Sequence, residues 1–190
     1  MAKYPISPDE LFTVEEMPEE TLAIKVDIDP GAVKTCLPPN LMPLPERKKN
    51  AVFSFSNLTL EYLLAAYKDL FRRKPESKKK ADLIGEMAEA LCFSGLQQFN
   101  AWFAGLHPLT RVILARIVFE EDIPVKTLEA EYGLTLLEKT KTNGWAAAVM
   151  FLKELRLNFL PVYKYCDHFI VRIPAAFRQV LAPWFVPPQE

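Results

Sequence analysis

Gly144-Trp-Ala-Ala-Ala-Val-Met-Phe-Leu-Lys-Glu-Leu155 is followed by Phe159-Leu-Pro-Val-Tyr-Lys-Tyr165 and His168-Phe-Ile-Val-Arg-Ile173, and these three runs decide the fold. The first is alanine-rich and apolar, and is preceded by Thr142 or Asn143 as N-cap, so it reads as a helix from Gly144 to about Leu157. The next two are rich in aromatic and β-branched residues and separated by Cys166-Asp167, as in a β-hairpin over 159–173. Pro161 has no N–H to give a ladder, so its strand is expected at an edge or starting after it.

Working back, Pro124 starts a short helix carrying Val125, Leu128 and Tyr132, with Gly133 at the C′ position. His107-Pro-Leu-Thr110 opens another, whose apolar face is Leu109, Val112, Ile113 and Ile117. Leu134–Thr142 reads equally as a turn of helix or a loop. Beyond the hairpin, Ala175–Leu181 reads as a last short helix, and the proline-rich run from Trp184 to Glu190 as a linker. The order helix 108–119, helix 124–132, helix 144–157, hairpin 159–173 is similar to a winged helix-turn-helix. The resemblance implies a third helix in the major groove and a wing on the phosphate backbone, with Asn143, Lys153, Arg156 and Lys164 as polar contacts. Gly133–Asn143 is longer than the usual turn of that family, and Trp145-Ala-Ala-Ala-Val-Met-Phe151 has few groups that read bases.

In the first half, Leu60, Leu63, Leu64, Tyr67 and Phe71 mark an amphipathic helix capped by Asn57 or Thr59. Leu83, Ile84, Met87 and Leu91 mark a second, with Ser77 as cap, and Leu96, Phe99, Trp102 and Phe103 a third between Gly95 and Gly105. Between the first two, Arg72, Arg73, Lys74, Lys78, Lys79 and Lys80 put six cations in nine positions. Leu58–Tyr67, this connector and Lys78-Lys-Lys-Ala-Asp-Leu-Ile84 resemble a SAP-type helix–extended–helix module, which implies phosphate-directed DNA binding. Pro75-Glu-Ser77 stands where that family has a glycine. Without the resemblance, the same run reads as a solvated connector.

Residues 1–20 hold three prolines and six carboxylates and read as a flexible acidic arm. Leu22, Ile24, Val26 and Ile28 alternate as in a half-buried strand, and Ala51-Val-Phe-Ser-Phe-Ser56 alternates again. Together they suggest a small N-terminal sheet, with the proline-rich stretch Cys36–Lys49 as connection.

Three widely spaced cysteines, Cys36, Cys92 and Cys166, suit reduced thiols, and the N-terminus has no apolar run suited to a signal peptide. The uncharged run 90–110 is broken by glycines, amides and Pro108, which argues against a membrane span. These features read as a cytoplasmic chain with no membrane partner. Cys166 and His168 lack further ligands at tetrahedral spacing, so no metal or other cofactor is expected. Glu120-Glu-Asp122 reads as a solvated charge cluster, and no nucleophile–base pair or phosphate loop is evident, so no enzymatic site is expected. The aromatic residues at helical spacing are read as core, with Trp102 and Trp145 as alternative partner anchors.

The sequence therefore predicts a mainly α (α+β) chain. It divides into an arm (1–20), a β element with a proline-rich connection (21–56), a SAP-like helical region (57–106), a winged-helix-like domain (107–184) and a tail (185–190). Two functions fit: non-catalytic, weak and largely sequence-independent DNA association, or a protein-interaction scaffold, read as the N-terminal part of a longer protein, that uses the same apolar helix faces.

Overall fold

The computed structural model describes residues 33–134, 153, 155–160, 162–165 and 168–187, with 162–165 and 168 described by their backbone course alone. The expected strand 22–28, the helix 144–152 with Asn143, and the segment 135–142 lie outside the described residues. Mostly helical, the described chain runs α1 (Leu44–Ser56), α2 (Leu60–Phe71), α3 (Lys80–Leu91), α4 (Leu96–Ala104), α5 (Pro108–Phe119), β1 (Ile123–Pro124), α6 (Val125–Tyr132), β2 (Val162–Tyr165), β3 (His168–Val171) and α7 (Ala175–Leu181). A 3₁₀ turn, Ala182–Trp184, follows. No helix among the described residues is long and apolar enough to cross a membrane.

The first correction is α1. Ala51–Ser56, expected as a strand, is helical, and so is the second part of the proline-rich connection. Pro43 at the N-cap and Pro45 in the first turn occupy positions whose N–H groups have no intrahelical acceptor, so they start a helix rather than prevent one. The Val-Phe-Ser-Phe-Ser alternation is overridden by a stripe of helical spacing, since Arg47, Ala51, Ser54 and Phe55 are buried while Phe53 is exposed.

α2 and α3 follow the sequence closely. The Thr59 hydroxyl accepts from the Tyr62 N–H at 3.4 Å, and Arg72 ends α2 in the left-handed region at φ 55°. Ser77 is not the cap of α3, whose N-cap is Lys79. Its hydroxyl instead accepts from the Lys79 N–H at 3.1 Å and donates to Asp82 at 2.6 Å, which stiffens the entry to the helix. Gly95 and Gly105 flank α4, and His107 Nδ1 accepts from the Leu109 N–H to open α5.

β1 was not foreseen. Its two residues pair antiparallel with β3, Ile123 opposite Val171, and β2 pairs with the other edge of β3, giving the order β1-β3-β2. β2 begins after Pro161 and lies at an edge, as that proline requires. Gly133 closes α6 at φ 66°, a conformation that costs glycine nothing. Lys153 is helical, but Arg156 sits at φ 56°, so the expected helix end near Leu157 is corrected to before Leu155.

The linker expected from Trp184 is corrected at its first two residues. Trp184 and Phe185 are fully enclosed, Phe185 bridges to Val33, and the Lys34 N–H donates to the Trp184 carbonyl. Trp184 stacks on Phe99 at 4.9 Å, and Phe93, Phe103 and Phe185 meet the same ring cluster edge-on or stacked. Burying each such ring contributes about 1.5–3 kcal/mol. One contiguous hydrophobic cluster extends from Ala51 of α1 to Phe185, so the helices before and after residue 107 share a core.

α1 lies antiparallel to α3 in a constant register. Arg47 meets Cys92 and Phe93 at the end of α3, Lys48 meets Glu89, and the carbonyl of Ser56 meets Lys80 at its start. Arg47 is 4% exposed, and its guanidinium donates to the carbonyls of Cys92 and, at 2.7 Å, Phe93, with the Trp184 ring 5.9 Å away. Phe93 holds φ 45°, an unfavourable conformation for so large a residue, and this clamp together with the aromatic cluster keeps it there.

Two outcomes are expected. Arg47→Ala leaves two buried carbonyls without their charged donor and should lower unfolding free energy by about 2–4 kcal/mol in urea titrations. Burial pushes the Cys92 thiol up to about 11 despite the nearby Arg47, so in a Cys166→Ser background the exposed Cys36 should react with a disulfide reagent at once and Cys92 only after unfolding.

Candidate nucleic-acid interface

The basic connector divides by role. The Arg73 guanidinium turns back on the helical pair, 2.5 Å from Glu86 and 3.7 Å from Glu76, and lies over the rings of Phe71 and Tyr67. Tyr67 OH donates to the same Glu86 oxygen at 2.8 Å. Arg73 is thus committed to holding α2 against α3. Arg72 is exposed and shapes the left-handed end of α2.

Lys80 Nζ donates to the Ser56 carbonyl at 3.0 Å, placing a cation at the negative end of α1. Lys74, Lys78 and Lys79 are exposed and have no ion-pair partner among the described residues. Lys78, Lys79 and Lys80 occupy the entry, N-cap and first position of α3, where the helix dipole is positive. Three cations there repel the dipole and one another, and Asp82 in the first turn offsets only part of this. An anion at this end would relieve the repulsion.

Phe53, placed in a strand by the sequence, lies in the last turn of α1, close to the end that Lys80 caps. Its exposure could not be read from the sequence, because a strand puts Phe53 and Phe55 on one face whereas a helix puts them on opposite faces.

Arg156 and Lys153 are exposed. Arg156 lies near enough to Asp69 of α2 to favour its ionised form. Asp69 accepts from the backbone N–H of the buried Asn158 at 3.1 Å and from its side-chain amide at 2.7 Å, tying α2 to the chain that leads into β2. Thr110 of α5 supports the same loop by donating to the Leu155 carbonyl at 2.9 Å. Sequence patterns gave no signal for this joint, since Asp69 and Asn158 are 89 positions apart. Lys164 is placed on edge strand β2, and Asn143 lies outside the described residues. Lys80 reaches the end of α1, whereas Arg156 neighbours Asp69 of α2.

The acidic cluster at the end of α5 is more structured than a solvated run. Glu120 pairs with Arg116 at 2.8 Å, and Asp122, at φ 58°, is gripped by both arms of Arg172 from the β3 side, which holds its carboxyl below the usual range. Among the described residues no three His, Cys, Asp or Glu side chains are grouped to hold a metal ion, and the side chains of Cys166 and His168 lie outside that description.

Comparison with protein-family models, with curated proteins and with solved structures finds no match.

Burial raises the Asp69 carboxyl above its ordinary value, against the opposing hydrogen bonds from Asn158 and the charges of Arg156 and Lys68. With a raised folded-state pKa, the native protein holds this proton longer than the unfolded chain, so this group's contribution favours folding in acid and is lost as pH rises through the raised value. Asp69→Asn keeps an acceptor for Asn158 and should remove that pH dependence with little loss at neutral pH. Asp69→Ala orphans the Asn158 donors and should cost about 1–3 kcal/mol, read by chemical denaturation across pH 3–7.

Proposed function

We propose that the chain is a non-catalytic nucleic-acid-associated protein, probing DNA chiefly through phosphates, and that residues 107–184 form a winged helix-turn-helix. The observation that carries the functional reading is the group Lys78, Lys79 and Lys80 at the positive end of α3, with two of its three ammonium groups uncommitted among the described residues. An exposed array of this kind releases counterions when it meets phosphates, which gives salt-sensitive affinity with little base selectivity.

The winged-helix reading is supported by β1. A strand between the first two helices that pairs with the second strand of a terminal hairpin is what this fold adds to a plain helical triplet, and here α5, β1, α6, β2 and β3 stand in that order with the sheet β1-β3-β2. Asn143, Lys153, Arg156 and Lys164 then belong to the reading helix, its end and the wing, as secondary contacts. The SAP-like reading of α2 and α3 accounts for the basic connector, with Arg73 excepted because it serves the packing of the pair.

The experiment is fluorescence anisotropy with a duplex across a salt series. Wild-type protein should bind weakly and without sequence preference. Lys78→Gln/Lys79→Gln spares the Lys80 cap and should reduce affinity for all sequences alike, with the log affinity against log salt slope shrinking by about 1.8 for two lost contacts. Melting temperature should not fall, because two cations leave an unfavourable helix end. No binding at about 50 mM salt overturns the reading.

A further inference from the structure

Among the described residues Phe53 is the only exposed Phe, Tyr or Trp side chain, at 62% exposure, while the other described side chains of these three types are buried or half-buried. It lies in the last turn of α1 and its helical neighbours are all polar: Lys49 and Asn50 one turn before, Ser56 and Asn57 one turn after. A lone aromatic ring set among polar groups differs from a protein-docking patch, which needs several hundred Å² of contiguous apolar surface.

The carbonyl end of α1 would ordinarily repel a phosphate backbone. Here the Phe53 carbonyl accepts from Asn57 Nδ2 at 3.1 Å, the Val52 carbonyl from the Ser56 hydroxyl at 2.7 Å, and the Ser56 carbonyl from Lys80 at 3.0 Å. The negative helix end is therefore covered, and its last carbonyl carries an ammonium group. The antiparallel register of α1 and α3 brings the positive end of α3, with Lys78 and Lys79, to the same end of the helix pair.

We propose that Phe53 is a stacking platform for one unpaired base, with Lys49, one turn before it on the same face of α1, taking the adjoining phosphate and Lys78 and Lys79 taking phosphates further along, where the strand crosses the end of the helix pair, so that the preferred ligand is single-stranded nucleic acid. Only an unpaired base offers its face to such a ring, since a duplex keeps its base faces stacked internally, and stacking on an aromatic residue beside a cationic track is the sequence-tolerant way to hold a single strand. This rests on the nucleic-acid reading above and narrows it to a strand class.

The test compares a labelled oligothymidylate with a duplex of equal length, using wild type, Phe53→Ala, Phe53→Trp and Lys78→Gln/Lys79→Gln at one salt concentration. Wild type should prefer the single strand. Phe53→Ala should weaken that binding by about five- to 150-fold, the loss of one stacked base, and leave the duplex and the melting temperature unchanged. Phe53→Trp should restore binding, with quenching of the added indole fluorescence as the strand is titrated. If Phe53→Ala binds the single strand as well as wild type does, while the lysine variant weakens both ligands, the stacking proposal is overturned and the phosphate reading stands. Binding of neither ligand by wild type overturns both.

Discussion

A buried cation at the carbonyl end of α3 governs the arrangement of the first half of the chain. Arg47 has no carboxylate partner among the described residues, and its charge is met by the carbonyls of Cys92 and Phe93, the negative end of the α3 dipole and the face of Trp184. Burial depresses its basicity, and the two carbonyls oppose that cost through one end of the guanidinium, while its buried Nε has no hydrogen-bond partner among the described residues. Because its guanidinium must reach the end of α3 from the first turns of α1, the two helices can only run antiparallel. The start of α3 then falls beside the end of α1, which is why Lys80 can cap Ser56 and why Phe53 shares an end of the pair with Lys78 and Lys79.

The helix pair thus keeps two unlike ends. At one, an arginine and carbonyl groups are shut inside against aromatic rings; at the other, three ammonium groups crowd a positive dipole in contact with solvent. The first arrangement contributes stability, and the second lowers it in exchange for an anion-attracting surface.

The two halves of the chain are not packed as independent bodies. Phe55 of α1 meets Phe177 of α7 at 5.6 Å, Trp184 and Phe185 return from the C-terminal end to complete the α3–α4 aromatic cluster, and Asp69 holds Asn158. A substitution in this shared core would reach the basic end of α3 and the sheet together, whereas Lys78 and Lys79, whose ammonium groups hold no partner among the described residues, can be exchanged without disturbing either.

What the sequence determined by itself is what local periodicity and caps specify. α2 to α6, the hairpin and α7 are legible because each has an apolar stripe of 3.6 or 2 residues bounded by Thr59, Gly95, His107, Gly133 or Pro174, and these signals act within a few positions. The basic cluster is legible as composition, but which cations stay available is not, since Arg73 and Lys80 find acceptors on neighbouring helices. Tertiary structure alone decided that Ala51–Ser56 is a helix, because the local alternation puts Phe53 and Phe55 together on one strand face, and only the burial of Arg47, Ala51 and Phe55 against α3 and α7, with Phe53 left outside, selects the helical period. It also decided that Trp184 and Phe185 are core and that Ile123–Pro124 is a strand. A two-residue strand has no period to detect, and an aromatic residue among prolines is buried only when a distant surface, here that of Phe93, Phe99 and Phe103, is brought up to receive it.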